Sequence, residues 1–430
     1  MLRFLYFFAF MPFLLLSCAA PEASTEEPSG PNTEESKVPA YELPPLLQTP
    51  AGTSIETEED WAASRKRILQ LFRDEVYGHV PGTADSVSLE TSEEDATALG
   101  GTAIRKQWKL TVWKQGNQHS MDVLLYLPNS SSDPVPLFLG MNFYGNHTVH
   151  EDPAIWMTGS WVRNNEEFGI EENKATEASR GVHASRWAIE QIIQRGYGVA
   201  TIYYGDVVPD VADCFGQGIF PLFYREGQQP TATEWGAIAA WAWSLSRILD
   251  VLEDDPAIDS DRVAVLGHSR LGKTALWAGA EDSRFAMVIS NNSGCGGAAL
   301  SRREFGETVK AINDRFPHWF NDRFPAYNDR VGDLPLDQHM LISLMAPRPV
   351  YVASASEDLW ADPKGEFLSA SLASPVYALF GKEGLSQSDM PSPDQPINSG
   401  HIGYHLRTGK HDLTAYDWQQ YMDFADQWMR

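Results

Sequence analysis

The stretch Arg262-Val-Ala-Val-Leu-Gly-His-Ser-Arg-Leu-Gly-Lys273 decides the fold. After Arg262 it begins as a short apolar run, which is typical of a strand buried on both faces of a parallel sheet. Gly267 and Gly272 then permit a sharp turn, and the residues that follow have the composition of a helix. A serine on such a turn, here Ser269, is raised above the sheet edge, where its hydroxyl can act as a nucleophile. The pattern departs from G-x-S-x-G because the second glycine comes one residue late.

Strands and helices alternate on both sides of this turn. Apolar runs predict strands over residues 103–113, 120–127, 135–143, 198–204, 262–266, 287–290, 349–353 and 404–407. Helical spacing of apolar residues predicts helices over residues 58–77, 186–194, 233–252, 273–280 and 413–429. Antiparallel strands followed by alternating strands and helices favour the α/β class, as an α/β-hydrolase three-layer sandwich with a mostly parallel central sheet and helices on both faces. Its catalytic groups should lie at the carboxyl ends of the strands.

The position of each histidine in this fold identifies the base. A serine hydroxyl is a poor nucleophile and needs a base, which in turn needs an orienting acid. In an α/β-hydrolase the base lies on the loop after the last strand, so His411 is the predicted base. His401 and His405 lie before and within that strand and are expected to be structural. His268 is next to Ser269, but its side chain is expected to point away from the hydroxyl.

The acid should follow the penultimate strand, which is predicted over residues 349–353. Asp358 fits the usual offset from the end of that strand, and Glu357 is the alternative. Asp362 and Glu366 lie farther along the chain and are interpreted as solvated or helix-capping residues. The resulting chain order of nucleophile, acid and base is the order found in α/β-hydrolases.

The oxygen of an attacked carbonyl gains negative charge and needs hydrogen-bond donors. The N-terminus of the helix that follows Ser269 and the Arg270 backbone N–H should face this oxygen. The loop over residues 142–146 follows another strand at the same edge of the sheet. We expect this loop to supply a second backbone donor.

Four segments together resemble the bacterial glucuronoyl esterases of carbohydrate esterase family 15. They are Gly267–Lys273, Ser293–Arg302, Trp360–Phe367 and Gly409–Thr414. The resemblance spans residues 61–430. It implies hydrolysis, without a cofactor, of the ester between a 4-O-methyl-glucuronic acid branch of glucuronoxylan and an alcohol of lignin.

The resemblance also implies roles for individual residues. It assigns the nucleophile to Ser269, the base to His411, an oxyanion contact to the Arg270 side chain, and contacts with the glucuronoyl ring to Lys273, Glu307 and Trp360. Ester hydrolysis creates a negative oxygen and then a uronate, and the two cations would stabilise both. One position departs from the family pattern, because Asn292 stands where many members carry the acidic residue. An amide cannot stabilise an imidazolium as a carboxylate does, so the acid role falls to Asp358.

Two other functions remain open at this stage. An acetyl xylan esterase would use the same three catalytic residues, but a small acetyl group needs no charged acyl pocket. A sugar-binding lipoprotein with a decayed hydrolase site is the alternative from another class, and the intact catalytic set argues against it.

The N-terminal residues predict export. Residues 4–16 are almost wholly apolar, too short for a membrane span and right for a signal-peptide core. Residues 1–18 end in Leu-Leu-Ser-Cys18, which resembles a bacterial lipobox whose cysteine is lipidated; a plain signal peptide is the alternative. Residues 19–40 are expected to be a disordered acidic tether, and residues 41–430 a single catalytic domain. We therefore expect a lipoprotein of the outer membrane, on its periplasmic or cell-surface side.

Composition and charge exclude other classes of function. Of the 430 residues, 43% are hydrophobic and 21% charged, as in a globular protein. The 33 basic and 58 acidic residues give a net charge of −25, which argues against nucleic acid as a partner. We expect a monomer that binds a carbohydrate ester.

Cysteine and acidic residues are the candidates for a disulfide and for a metal site. Three cysteines are too few for a disulfide scaffold or a zinc site. Cys214 and Cys295 both follow predicted strands, so a disulfide between them and two separate buried thiols are both open. Asp206, Asp210 and Asp213 lack the turn glycine and the closing glutamate of a calcium loop. They are interpreted as an acidic loop near the cleft, and no metal site is predicted.

Overall fold

One mixed sheet forms the centre of the computed structural model, which describes residues 30–430. Its strands are β1 Ser86–Thr97, β2 Ala103–Lys114, β3 Asn117–Pro128, β4 Val135–Asn142, β5 Gly198–Tyr203, β6 Ile258–His268, β7 Met287–Asn291, β8 Val350–Ala355 and β9 Ile402–Arg407. They lie in the order β1-β2-β3-β5-β4-β6-β7-β8-β9. The pairings from β1 to β5 are antiparallel, and all pairings from β5 to β9 are parallel. The carboxyl ends of the parallel strands therefore meet at one edge.

Helices cover both faces of this sheet. Those of six or more residues are α1 Glu58–Phe72, α2 Ile189–Gln194, α3 Ala237–Leu252, α4 Arg270–Glu281, α5 Val309–Arg315, α6 Gln338–Ser343, α7 Pro363–Leu379 and α8 Ala415–Trp428. Side chains of a strand point alternately to the two faces. In β6, Val263 and Val265 join the core beneath α1, α3 and α4, whereas Ala264 and Leu266 join the core beneath α2 and α8. The predicted three-layer α/β sandwich is confirmed.

One strand and three helices, β1, α5, α6 and α7, escape the sequence patterns. Strand β1 is an edge strand that pairs only with β2, and it is largely polar and exposed, so it lacks the apolar signal of a buried strand. Helix α7 contains Pro375 and many small residues, which obscure its helical spacing. The predicted helix over residues 58–77 ends earlier, at Phe72, and a π-helical turn over Arg73–Tyr77 follows it.

The prediction that the acidic tether is disordered through residue 40 is wrong at its carboxyl end, over residues 31–40. Residues Pro31–Arg430 form one compact unit, and a short 3-10 turn covers Glu35–Lys37. The Glu35 carboxylate pairs with Arg303 and accepts a hydrogen bond from Lys364 Nζ at 2.8 Å. These partners lie far along the chain, so composition alone cannot reveal them. The predicted signal peptide, Cys18 and the first part of the tether lie outside the described residues.

No helix among residues 30–430 combines the length and the apolar composition that crossing a bilayer requires.

The turn between β6 and α4 is the part of the fold that positions Ser269. Ser269 adopts φ 59° and ψ −129°, a conformation that non-glycine residues rarely occupy. A Cβ atom on Gly267 would lie 1.9 Å from the Leu271 carbonyl oxygen, and one on Gly272 would lie 3.0 Å from the Gly267 oxygen. The turn therefore excludes a side chain at Gly267, and a methyl group at Gly272 would force its neighbours to move by a few tenths of an ångström.

We expect Gly267→Ala to lower the free energy of unfolding by about 3 kcal/mol, because the new methyl group overlaps the Leu271 backbone. Gly332→Ala is the matched control, since nothing lies within 4 Å of a Cβ at that position. Urea denaturation of both variants measures the difference. Equal stability of the two variants would contradict the tight-turn interpretation.

Candidate active site

A cavity of about 300 Å³ opens at the carboxyl edge of the parallel strands. It is lined by Ser269, Arg270, Lys273, Asn292, Ser293, Gly294, Glu307, Phe316, Trp319, Asp358, Trp360, Ala361 and His411. This set contains the predicted catalytic residues, the Arg270 oxyanion contact and the predicted substrate contacts, but none of residues 142–146, the loop predicted to supply a second oxyanion donor. A larger depression of about 730 Å³ lies beside residues 115–117 and 213–229, and its lining contains no serine or histidine. The smaller cavity is therefore the candidate active site.

Ser269 is the N-cap residue of helix α4 and follows directly after β6. Its backbone N–H donates to the Asn291 carbonyl oxygen at 2.8 Å, so the turn is fixed to the end of the neighbouring strand β7. Its own carbonyl accepts from the N–H groups of Gly272 at 2.9 Å and Lys273 at 3.2 Å, which closes the first turn of α4. The N-terminus of this helix thus lies next to the serine, where it favours negative charge.

His411 and Asp358 form a hydrogen-bonded pair in the same cavity. The His411 Nδ1–H donates to Asp358 Oδ2 at 2.6 Å. The Asp358 side chain is 5% exposed, whereas that of His411 is 41% exposed. This bond leaves Nε2 of the imidazole free to serve a hydroxyl group in the cavity. Glu357, the alternative acid, is exposed, and the structure places Asp358 against the histidine instead.

Asn292 stands at the position where the sequence departs from the family pattern. It is buried in the left-handed conformation, with φ 47°. Its Nδ2 donates to Asp358 Oδ2 at 2.9 Å, the same oxygen that accepts from His411. The amide therefore helps to hold the carboxylate whose role it cannot fill itself.

The ring of His268 packs against the ring of His411, the predicted base. Its Nδ1 is 2.6 Å from Asn291 Oδ1, and its ring centroid is 4.5 Å from that of His411. Burial holds the pKa of His268 well below its usual range. A neutral imidazole thus packs against the ring of His411.

Arg270 projects from the first turn of α4 and is held by a residue whose role the sequence did not reveal. One of its Nη atoms contacts Asp210 Oδ2, and the guanidinium carbon lies 4.9 Å from the centroid of the Trp319 ring. Asp210 is buried and also accepts from His318 Nε2 at 2.8 Å and from Trp319 Nε1 at 2.7 Å. Burial alone would raise the pKa of Asp210, but the hydrogen bond from His318 and the Arg270 charge hold it well below the usual range. Asp210 is therefore an ionised anchor for Arg270, and Arg163 Nη2 adds a contact at 3.1 Å.

Lys273 and Glu307 form a buried pair one helical turn from Ser269. The Lys273 Nζ donates to the Ser293 carbonyl oxygen at 2.5 Å and lies 3.8 Å from Glu307 Oε2. Their side chains are 4% and 7% exposed. Burial lowers the pKa of Lys273. The Glu307 N–H donates to the Trp360 carbonyl oxygen at 2.9 Å, which joins the loops that carry these two residues.

Glu366 and Asp362 were expected to be solvated or to cap a helix, and for both the solvated interpretation is wrong. Asp362 is buried, accepts from the Gly365 N–H at the start of α7 and pairs with Arg303. Glu366 is fully buried and accepts from the Gly294 N–H at 2.9 Å. Burial raises the pKa of Glu366 to about 8. Helix α7 therefore supports the loop after β7 that lines the cavity.

The remaining sequence predictions concern the second oxyanion donor and the thiols. The loop over residues 142–146 lies next to the turn at Ser269, because the Phe143 ring centroid is 5.8 Å from the Arg270 guanidinium carbon. Whether its backbone contacts an oxyanion stays a prediction.

Cys214 and Cys295 are free, buried thiols, so the disulfide considered between them is not formed. Within residues 30–430, no three His, Cys, Asp or Glu side chains are grouped as a metal ion requires.

The cavity combines the groups that nucleophilic acyl transfer requires. It offers a serine on a strained turn, an imidazole held by a buried carboxylate, and a guanidinium beside a helix N-terminus. The same wall carries a buried lysine and glutamate that can bind a polar acyl group.

Comparisons with known proteins agree with this geometry. A family model described as glucuronyl esterase of fungi matches residues 172–381. The chain is 53% identical over 405 residues to the carbohydrate esterase MZ0003 of an unknown prokaryotic organism, covering 94% of this chain and 93% of the relative. It is similar to the structure of a promiscuous CE15 esterase from a marine bacterial metagenome, with a TM-score of 0.87, 52% identity, and coverage of 93% and 100% of the two chains. It is also similar to the glucuronoyl esterase from Solibacter usitatus, with a TM-score of 0.85, 47% identity, and coverage of 91% and 99%.

We expect Asp210→Asn to lower kcat for ester hydrolysis about 100-fold, because Arg270, the predicted oxyanion contact, loses the charge that holds it in the cavity. Asp213→Asn is the matched control, since Asp213 is an exposed carboxylate of the same loop. Steady-state kinetics of both variants measure the effect. Unchanged kcat in Asp210→Asn would show that this ion pair does not support the reaction.

Proposed function

Because the chain belongs to carbohydrate esterase family 15 and is a carboxylic ester hydrolase, we propose that it cleaves the ester between 4-O-methyl-glucuronic acid branches of glucuronoxylan and alcohols of lignin. The observation that carries this proposal is the buried pair of Lys273 and Glu307 in the cavity that contains Ser269. The 4-O-methyl-glucuronoyl group carries its hydroxyl groups on the same sugar ring that bears the ester carbonyl. A buried cation and a buried carboxylate can bind these hydroxyl groups directly.

The acyl pocket suits a sugar better than a small apolar group. An acetyl group would leave Lys273 and Glu307 without a ligand to bind, so their burial would contribute nothing to recognition. Trp360 also lines the cavity, and the face of its indole ring is suited to packing against a sugar ring. Trp360 is 38% exposed, which leaves it accessible to a ligand.

The proposed reaction begins with attack of Ser269 Oγ on the ester carbonyl. His411 Nε2 takes the hydroxyl proton, and Asp358 stabilises the imidazolium that forms. The backbone at the start of α4 and the Arg270 guanidinium stabilise the oxyanion. When the tetrahedral intermediate collapses, the ester C–O bond breaks, and the alcohol leaves with the proton from His411.

The second half of the reaction uses the same groups. Water gives a proton to His411 and attacks the acyl-enzyme carbonyl, and collapse of this intermediate returns the proton to Ser269. The product is a uronate, whose negative charge Lys273 and Arg270 stabilise while it remains in the cavity. Asp210 and Glu307 balance these two cations before the substrate binds.

We further propose that the enzyme is exported as a monomeric lipoprotein of the outer membrane, attached through Cys18. The apolar stretch over residues 4–16 and the lipobox-like end at Cys18 support this proposal. Attachment would keep the esterase at the cell, where released sugars can be taken up.

We expect a palmitate analogue to label the protein in bacterial cells, and Cys18→Ala to abolish the label, because the lipid is carried by that sulfur. Gel fluorescence after metabolic labelling measures how much of the analogue the protein carries. Labelling of Cys18→Ala at the level of the parent protein would contradict attachment at this residue.

We expect Lys273→Met to lower kcat/KM for benzyl glucuronate at least ~10-fold more than kcat/KM for 4-nitrophenyl acetate. The substitution keeps the side-chain length and removes the buried charge, and only the uronate ester presents hydroxyl groups to it. The experiment uses residues 31–430, because Glu35 contacts Arg303 and Lys364. The Ser269→Ala variant serves as the inactive reference. Equal losses for the two esters would contradict the proposed acyl pocket.

A further inference from the structure

His411 lies on the segment 408–412, the first part of the loop without regular secondary structure between β9 and α8. The imidazole of a general base must be held within a fraction of an ångström, because a displacement of about 1 Å can reduce a rate about 100-fold. The bond to Asp358 fixes one ring nitrogen but not the backbone that carries the ring. Something else must hold this loop in place.

Arg407, the last residue of β9, binds the loop on both sides of His411. Its Nη2 donates to the Lys410 carbonyl oxygen at 2.8 Å and to the Asp412 carbonyl oxygen at 3.2 Å. Its Nη1 donates to the Thr408 carbonyl oxygen at 3.0 Å. One guanidinium group thus binds the peptide group directly before the histidine and the second peptide group after it.

Asp417 fixes the guanidinium itself. Arg407 Nε lies 3.1 Å from Asp417 Oδ2, and both side chains are buried. Asp417 caps the first turn of α8, where the Thr414 N–H donates to it at 2.7 Å, and it also accepts from His405 Nε2 at 2.8 Å. Asp417 is therefore held by the first turn of α8 and by β9, outside the segment 408–412 that Arg407 binds.

Backbone hydrogen bonds join this loop to the loop that carries the acid. The Ser356 N–H donates to the Arg407 carbonyl oxygen at 2.8 Å, and the Glu357 N–H donates to the Gly409 carbonyl oxygen at 2.9 Å. Gly409 adopts φ 119°, and a Cβ atom there would lie 3.0 Å from Arg407 Nη1. The glycine therefore leaves the space that the guanidinium occupies.

We propose that Arg407, held by Asp417, is a positioning residue that sets His411 against Asp358 and Ser269; this rests on the proposed role of His411 as the base. Arginine suits this task because its planar guanidinium makes several directed hydrogen bonds at once. A lysine at this position keeps the charge but cannot bind the three carbonyls and Asp417 in the same geometry.

The test compares Arg407→Lys with Arg348→Lys. Arg348 is a matched control, because its guanidinium also binds three backbone carbonyls, those of Gly279, Asp282 and Phe285. Gly279 is at the end of α4 away from Ser269, so this second guanidinium does not touch the candidate active site. Both substitutions should lower the urea midpoint of unfolding to a similar extent.

We expect Arg407→Lys to lower kcat about 10–100-fold, with KM changed less than about 2-fold, because the base is displaced while the acyl pocket is intact. Arg348→Lys should keep the parent kcat. Equal losses of kcat in the two variants, or full kcat in Arg407→Lys, would overturn the proposal.

Measurements with two esters show whether a negative result contradicts the role of Arg407 or the proposed substrate. The loss of kcat in Arg407→Lys should be the same for benzyl glucuronate and 4-nitrophenyl acetate, since the base serves both. A loss seen with 4-nitrophenyl acetate supports the role of Arg407 even if benzyl glucuronate is a poor substrate. If Arg407→Lys does not fold, Asp417→Asn is tested in the same way; a folded Asp417→Asn with the parent kcat would overturn the proposal.

Discussion

Buried carboxylates, each facing a cation or an imidazole, hold this active site together. Asp210 faces Arg270, Glu307 faces Lys273, and Asp358 faces His411. Removing one partner of a buried ion pair costs about 3–5 kcal/mol, because the remaining charge stays away from water. The charges that could act on a substrate are therefore fixed in place before the substrate binds.

These pairs also explain how loops from distant parts of the chain meet at one cavity. The sheet brings the ends of β6, β7 and β8 to the same edge, but it does not set the conformation of the loops beyond them. Charged and polar contacts complete the arrangement: Asn292 joins the loop after β7 to Asp358, and Glu366 joins α7 to Gly294. The net charge of −25 thus coexists with a cavity in which cations and carboxylates are balanced.

The sequence predicted the parts of the site that follow from position along a strand. Ser269, Asp358 and His411 were placed by their offsets from strand ends, and the structure brings them into one cavity. Asp210 was seen only as part of an acidic loop, because its partners His318 and Trp319 lie more than 100 residues away and no spacing connects them. Strand β1 and helix α7 were missed for a related reason: pairing at a sheet edge and tertiary packing stabilise them more than any local apolar pattern does.

Reaction with a fluorophosphonate, followed by peptide mapping, tests the central claim that Ser269 is the activated nucleophile. The account predicts one phosphonyl group per chain, located on Ser269, and much slower labelling of His411→Ala, since the hydroxyl then lacks its base. Labelling of a different serine, or no labelling of the folded parent protein, would contradict it.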